Sequence, residues 1–64
     1  MKVNFDSDND VLYLRFSGEE IAESEEQRPG VIFDYDTRGY IVGMEFLEAS
    51  TKINHPAALV HEVE

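Results

Sequence analysis

The sequence predicts a small α+β protein: an antiparallel β-meander of four to five strands with a short C-terminal helix packed on one face. Three observations carry this. The apolar residues between Val3 and Leu47 fall in short β-branched and aromatic runs bounded by turn residues. The stretch from Pro29 to Ser50, PGVIFDYDTRGYIVGMEFLEAS, holds two such runs around the one strong hairpin signal. Only the tail after Asn54-His55-Pro56 shows helical spacing. At 64 residues the chain is read as one domain, 1–64, with no room for a second core.

Taken in order, Lys2 to Asp6 reads as a first strand with Val3 and Phe5 on one face. Val11 to Ser17 reads as a second, with Leu12, Leu14 and Phe16 on one face. Between them Ser7-Asp8-Asn9, flanked by Asp6 and Asp10, is turn composition, which makes the pair a hairpin. Ser17-Gly18 closes the second strand. The run Glu19 to Arg28 holds five glutamates with only Ile21 and Ala22 as apolar members, too few to anchor a helix of that length. It reads instead as a short edge strand around Ile21 to Ser24, where charge deters pairing with foreign chains. Pro29 ends it and Gly30 turns the chain into the central hairpin.

That hairpin joins Val31 to Tyr35 and Tyr40 to Leu47 through Asp36-Thr37-Arg38-Gly39. The favoured register sets Asp36 opposite Tyr40, because Gly39 can then take the left-handed conformation that ends a type I turn with a G1 bulge. It sets Phe33 across from Gly43 and makes both faces apolar. Ile32, Asp34, Val42, Met44 and Phe46 lie on one, and Val31, Phe33, Tyr35, Ile41, Gly43, Glu45 and Leu47 on the other. The alternative, a four-residue loop with Tyr35 opposite Tyr40, gathers Val31, Phe33, Tyr35, Val42, Met44 and Phe46 on one side and leaves Ile32, Asp34, Ile41 and Glu45 on the other. After the hairpin, Ala49-Ser50-Thr51-Lys52 begins a polar break. Proline then starts a helix from Ala57 to Val63 with Leu59, Val60 and Val63 on one stripe, too short to be stable without packing.

The order F-D-S-D-N-D-V-L-Y-L-R-F, then A-E-S-E-E, then P-G-V-I-x-D-Y-D-x-x-G-x-x-V-G-x-E-x-L-x-A-S at Pro29 to Ser50 resembles a widespread family of small bacterial proteins catalogued as a domain of unknown function. The resemblance covers residues 2 to about 52. It implies a compact β-meander with a C-terminal helical segment, and no activity that could be transferred.

Fourteen Asp and Glu against five Lys and Arg give a formal net charge of -9. Nucleic-acid phosphates and anionic lipid would repel such a chain, so neither is expected as a partner, whereas a basic protein is admissible. No apolar run approaches the ~18 residues of a membrane span and the N-terminus has no apolar h-region, so a soluble, cytoplasmic protein is expected. The absence of cysteine excludes disulfides and thiolate metal sites.

Catalytic chemistry finds little to work with. Asp6, Asp8 and Asp10 match the opening of a calcium loop, but the sixth and twelfth positions hold Val11 and Ser17 where glycine and glutamate belong. His55 and His61 are six apart and cannot share a metal as an i, i+4 pair would. Ser17, Ser24 and Ser50 have neither a glycine elbow nor an assured histidine neighbour. Asp34 and Glu45, the acids inside the central strands, are the candidates for acid–base work, with bonding to Arg15 or Arg38 as the structural alternative. No catalytic, cofactor or metal residue is therefore assigned. The sequence favours a non-catalytic protein-interaction or regulatory module, with a weak hydrolase or cation-dependent enzyme using Asp34, Glu45 or the Asp6 to Asp10 cluster as the alternative.

A homodimer is expected as well. A chain this short buries only about 60% of the surface it exposes when unfolded. With both hairpin faces apolar, one short helix can cover only one of them, leaving the other to meet its copy.

Overall fold

Turn chemistry decides where the strands begin and end. In the computed structural model, which describes residues 1–62, β1 (Lys2–Asp6) and β2 (Val11–Arg15) flank a turn closed by the Asp6 carboxyl group. That group accepts from the backbone N–H of Asp8 at 3.1 Å and of Asn9 at 3.2 Å, and from the Asn9 side chain at 2.8 Å. Asp10 completes the turn with a left-handed φ of 54°, which aspartate tolerates better than most residues.

The edge strand β3 (Glu23–Arg28) begins two residues later than expected and is exposed throughout. Pro29 and Gly30, the latter at φ 77°, then return the chain into β4 (Val31–Tyr35), and β5 (Ile41–Phe46) completes the sheet. A 3₁₀ turn (Ala49–Thr51) and a helix, α1 (Pro56–Glu62), follow. Ala49 is fully buried, so the expected polar break is partly a core element.

The five strands are antiparallel in the order β1-β2-β5-β4-β3, giving the expected sheet with a short C-terminal helix. β2 pairs with β5 rather than with its successor in sequence, so residues 16–22 must pass the ends of β5 and β4 to reach the far edge. Phe16 N–H still donates to Val42 O at 2.8 Å, which extends the pairing of β2 one residue past the strand.

The central hairpin combines features of both registers weighed from sequence. At the turn Asp36 N–H donates to Tyr40 O at 3.0 Å, Gly39 N–H donates to Asp36 O at 3.1 Å, and Gly39 has φ 86°, as the bulged register requires. A second bulge follows immediately. Tyr35 pairs with Ile41 but Asp34 pairs with Gly43, so Val42 is an extra residue in β5. Phe33 consequently faces Met44 rather than Gly43, and the expectation that both faces are apolar fails.

Because opposed residues share a face, the pairings define the two sides. One carries Val3, Phe5, Leu12, Leu14, Val31, Phe33, Met44 and Phe46. The other carries Asn4, Tyr13, Arg15, Ser24, Ile32, Asp34, Gly43 and Glu45. Helix α1 packs against β1, where Val3 and Phe5 are half-buried and their neighbours exposed, so it covers the β1 side of the apolar face. In the helix Pro56 is buried, Leu59 half-buried and Val60 exposed, which removes Val60 from the docked stripe; Val63 lies outside the described residues. Among the described residues Leu12, Val31, Val42 and Ala49 form the buried core of the sheet, with Pro56 buried at the helix start.

Candidate functional site

The polar face holds Asp34, the one buried acid among the described residues, at 5% exposure. Its place follows from the second bulge, which brings it opposite Gly43, where a missing side chain leaves room for a carboxyl group. A Cβ at Gly43 would lie 3.1 Å from Asp34 Oδ2 and 3.2 Å from Tyr13 Oη. Ser24 Oγ donates to Asp34 Oδ1 at 2.6 Å from the edge strand, and Tyr13 Oη donates to Oδ2 at 3.4 Å from β2. Arg15 Nη1 in turn donates to Tyr13 Oη at 3.3 Å. The rest of that guanidinium holds the crossing segment, with Nε donating to Ser17 O at 2.7 Å and Nη2 to Glu19 O. No buried side-chain polar atom among the described residues is left without a partner.

Asp34 and Glu45, singled out from sequence, do share this face, but on different rungs. Asp34 reaches Arg15 only through the Tyr13 hydroxyl, so the structural role anticipated for it is realised indirectly. Arg38 is engaged elsewhere, its guanidinium 5.2 Å from the centre of the Tyr40 ring. An open groove of about 960 Å³ adjoins the cluster at the β1–β2 end, lined by Lys2, Asn4, Tyr13 and Arg15 among others. Its walls offer donors and the Ser17 hydroxyl, which accepts from Glu19 N–H and has no histidine among the lining residues to activate it.

The carboxyl groups of the Asp6 to Asp10 turn are turned to different tasks. Asp6 closes its own turn, and the Asn9 side-chain amide, the Asn9 N–H and the Asp8 N–H hold it below the usual carboxylate range. Asp10 reaches forward forty residues. Its Oδ2 accepts from Ser50 Oγ at 2.6 Å, its Oδ1 from Ser50 N–H at 3.1 Å, and its backbone O from Ala49 N–H at 2.8 Å. Among the described residues no three His, Asp or Glu side chains gather where a metal ion could be held.

The serines are similarly committed: Ser24 to Asp34, Ser50 to Asp10, and Ser17 Oγ accepting from Glu19 N–H at 3.1 Å. His55, at φ 54°, supplies the carbonyl that accepts from Ala58 N–H at the start of the helix. The His61 side chain lies outside the described residues. The arrangement can fix three strands and a crossing segment in place, and among the described residues it brings no nucleophile, base and orienter together in sequence.

Tyr13, and the Asp10–Ser50 tie, were not legible as parts of this polar framework, since their partners are 21 and 40 residues away. A signal existed in Gly43, because glycine inside a strand often marks a bulge. No helix among the described residues is long and apolar enough to cross a membrane. A family model described as a protein of unknown function (DUF2283) matches residues 2–50. No curated protein and no solved structure matches the chain.

Proposed function

The chain belongs to this family of unknown function, and from that premise we propose that it is a non-catalytic protein-interaction module whose working surface is the uncovered part of the apolar sheet face. One observation carries the reading. A sheet is ordinarily stable when each apolar face is packed against another layer, yet among the described residues the main packing of α1 is on the β1 side of that face. Half-buried Phe33, Met44 and Phe46, with the buried Val31 beneath them, line an open groove of about 490 Å³ instead. The molecule is correspondingly thin, 16 Å in its shortest extent.

The run that carries the family resemblance supports a structural purpose. Pro29 and Gly30 make a turn, Asp36 Oδ1 accepts from Arg38 N–H at 2.9 Å and Tyr40 N–H at 3.0 Å, and Gly39 takes positive φ. Gly43 makes room for Asp34, Ala49 is core, and Ser50 binds Asp10. Each serves the scaffold. The net charge of -9 makes a protein a better partner than nucleic acid or lipid.

The test is to recover tagged wild type and the double variant Phe33→Ser/Met44→Ser under native conditions from the source cell. Wild type is expected in a stoichiometric assembly, with itself or another protein, that the variant loses while it still unfolds cooperatively, at a lower midpoint. Recovery of the wild type at its 7.3 kDa monomer mass, without a stoichiometric companion, would overturn the reading.

A further inference from the structure

The uncovered apolar strip carries an ordered pattern of charge along its β3 border. Glu23 pairs with Tyr35 and Glu25 with Phe33, so both acids project on the apolar face at one end of the strip. At the other end Arg28 pairs with Val31, and Lys52 joins it in lining the same groove. Two acids and two bases thus sit at opposite ends of one apolar surface, which is locally neutral on a chain of net charge -9.

We propose that this strip is the interface of a two-fold homodimer, the second copy lying face to face with its strands reversed. The proposal rests on the interaction reading above and names its partner. An isologous interface must be complementary to itself, and a two-fold axis in the interface plane, perpendicular to the strands, exchanges the ends of the strip. The axis passes at the level of Ile32 and Glu45, which pair with each other between the two apolar rungs. Phe33 and Met44 of one copy then pack over Phe46 of the other, above its buried Val31, with the sheets about 10 Å apart. Glu25 of each copy meets Arg28 of the other.

An axis along the strands would leave acid facing the same end of the strip and forgo this pairing. The opposite sheet face carries Arg15, Asp34, Glu45 and the Tyr13–Asp34 hydrogen bond, so the strip proposed here lies on the other side from the uncovered face anticipated from sequence.

Size sets the strength. The sheet spans no more than 32 by 29 Å and α1 occupies the β1 side, so the interface belongs at the small end, below about 1,200 Å² in total. Interfaces of that size are commonly weak and transient, and a dissociation constant of ~1–100 µM is expected. Association tightens as salt is raised from low to moderate. Repulsion between the two acidic bodies is screened beyond about 8 Å, while contacting pairs are screened less.

Sedimentation equilibrium on the full chain tests the arrangement through two single reversals on the exposed edge strand, Glu25→Lys and Arg28→Glu. Each alone places like charges at both symmetric contacts and is expected to weaken the dimer at least ~10-fold. An equimolar mixture of the two pairs Lys with Glu at one contact and Arg with Glu at the other. Mixed association within about threefold of wild type is expected, which also shows that both variants are folded. A wild-type mass that stays at 7.3 kDa up to ~200 µM overturns the dimer, while a stoichiometric companion in native recovery would leave the interaction reading standing. A dimer that neither variant weakens, or a mixture no tighter than its components, overturns this face and symmetry.

Discussion

The two faces of the sheet share a backbone but are ordered by different means. The apolar face relies on area. Its residues need only be large and water-averse, and it is finished on the β1 side by the helix and unfinished near β3. On the polar face the key contacts are directional: Ser24, Tyr13 and Arg15 meet Asp34 or one another at set distances, over a glycine that leaves just enough room. The Val42 bulge separates the two, because a single extra residue sends Phe33 to Met44 and Asp34 to Gly43. One face therefore supplies most of the burial energy, and the other supplies register.

Substitutions on each face sharpen that contrast. Leu12 is fully buried on the apolar side, and Leu12→Ala is expected to have the largest effect, ~2–5 kcal/mol in urea unfolding. A loss under ~1 kcal/mol would mean that this side collapses around the void as a loosely packed layer. On the polar side Gly43→Ala adds a single methyl group 3.1 Å from both Asp34 Oδ2 and the Leu14 carbonyl oxygen. The carboxyl group can move, but the carbonyl belongs to the β2 backbone. A cost of ~1–3 kcal/mol is expected, with loss of the Tyr13 hydroxyl contact visible in the ring's NMR shifts.

Gly39→Val probes the turn, where nothing lies near the added Cβ and the cost is purely conformational. It should amount to ~1–2 kcal/mol, and Gly39→Asn should recover much of it. An unchanged midpoint for the valine variant would remove the left-handed turn.

The smallest effect is at Asp6. A carboxyl group held below its ordinary value stabilises the fold above the unfolded-state pKa and loses that contribution as pH falls through the lower, folded value. The Asn9 amide signals should report this loss below the usual carboxylate range, and Asp6→Asn should abolish the transition. A midpoint at or above the ordinary value would show that the turn contacts do not hold in solution.

What the sequence disclosed followed the reach of each interaction. Asp36 and Gly39 encode their turn within four residues, and it forms as expected. β1 has its expected bounds, because an alternating pattern and a flanking Asx-rich turn are both local. The second bulge was not apparent, since it reconciles the turn with the demand of β2 and β4 for a common apolar side. Gly43 instead suggested packing beneath Phe33. Asp34 drew notice as a strand acid, but Ser24 and Tyr13 come from strands whose adjacency only the assembled sheet reveals. Asp10 was grouped with its neighbours as a cation-like turn, when its partner Ser50 lies across the chain.

That last contact orders events in time. During synthesis β1 and β2 emerge first, but β2 lacks its inner neighbour until β5 has followed, and Asp10 has no partner until Ser50 is made. A two-stranded hairpin is marginal in water by itself, so the first half of the chain must wait unfolded for roughly thirty more residues, ~2–6 s of elongation at ordinary rates. A message truncated before the codon for Ile41 should therefore yield only a chain readily degraded by proteases.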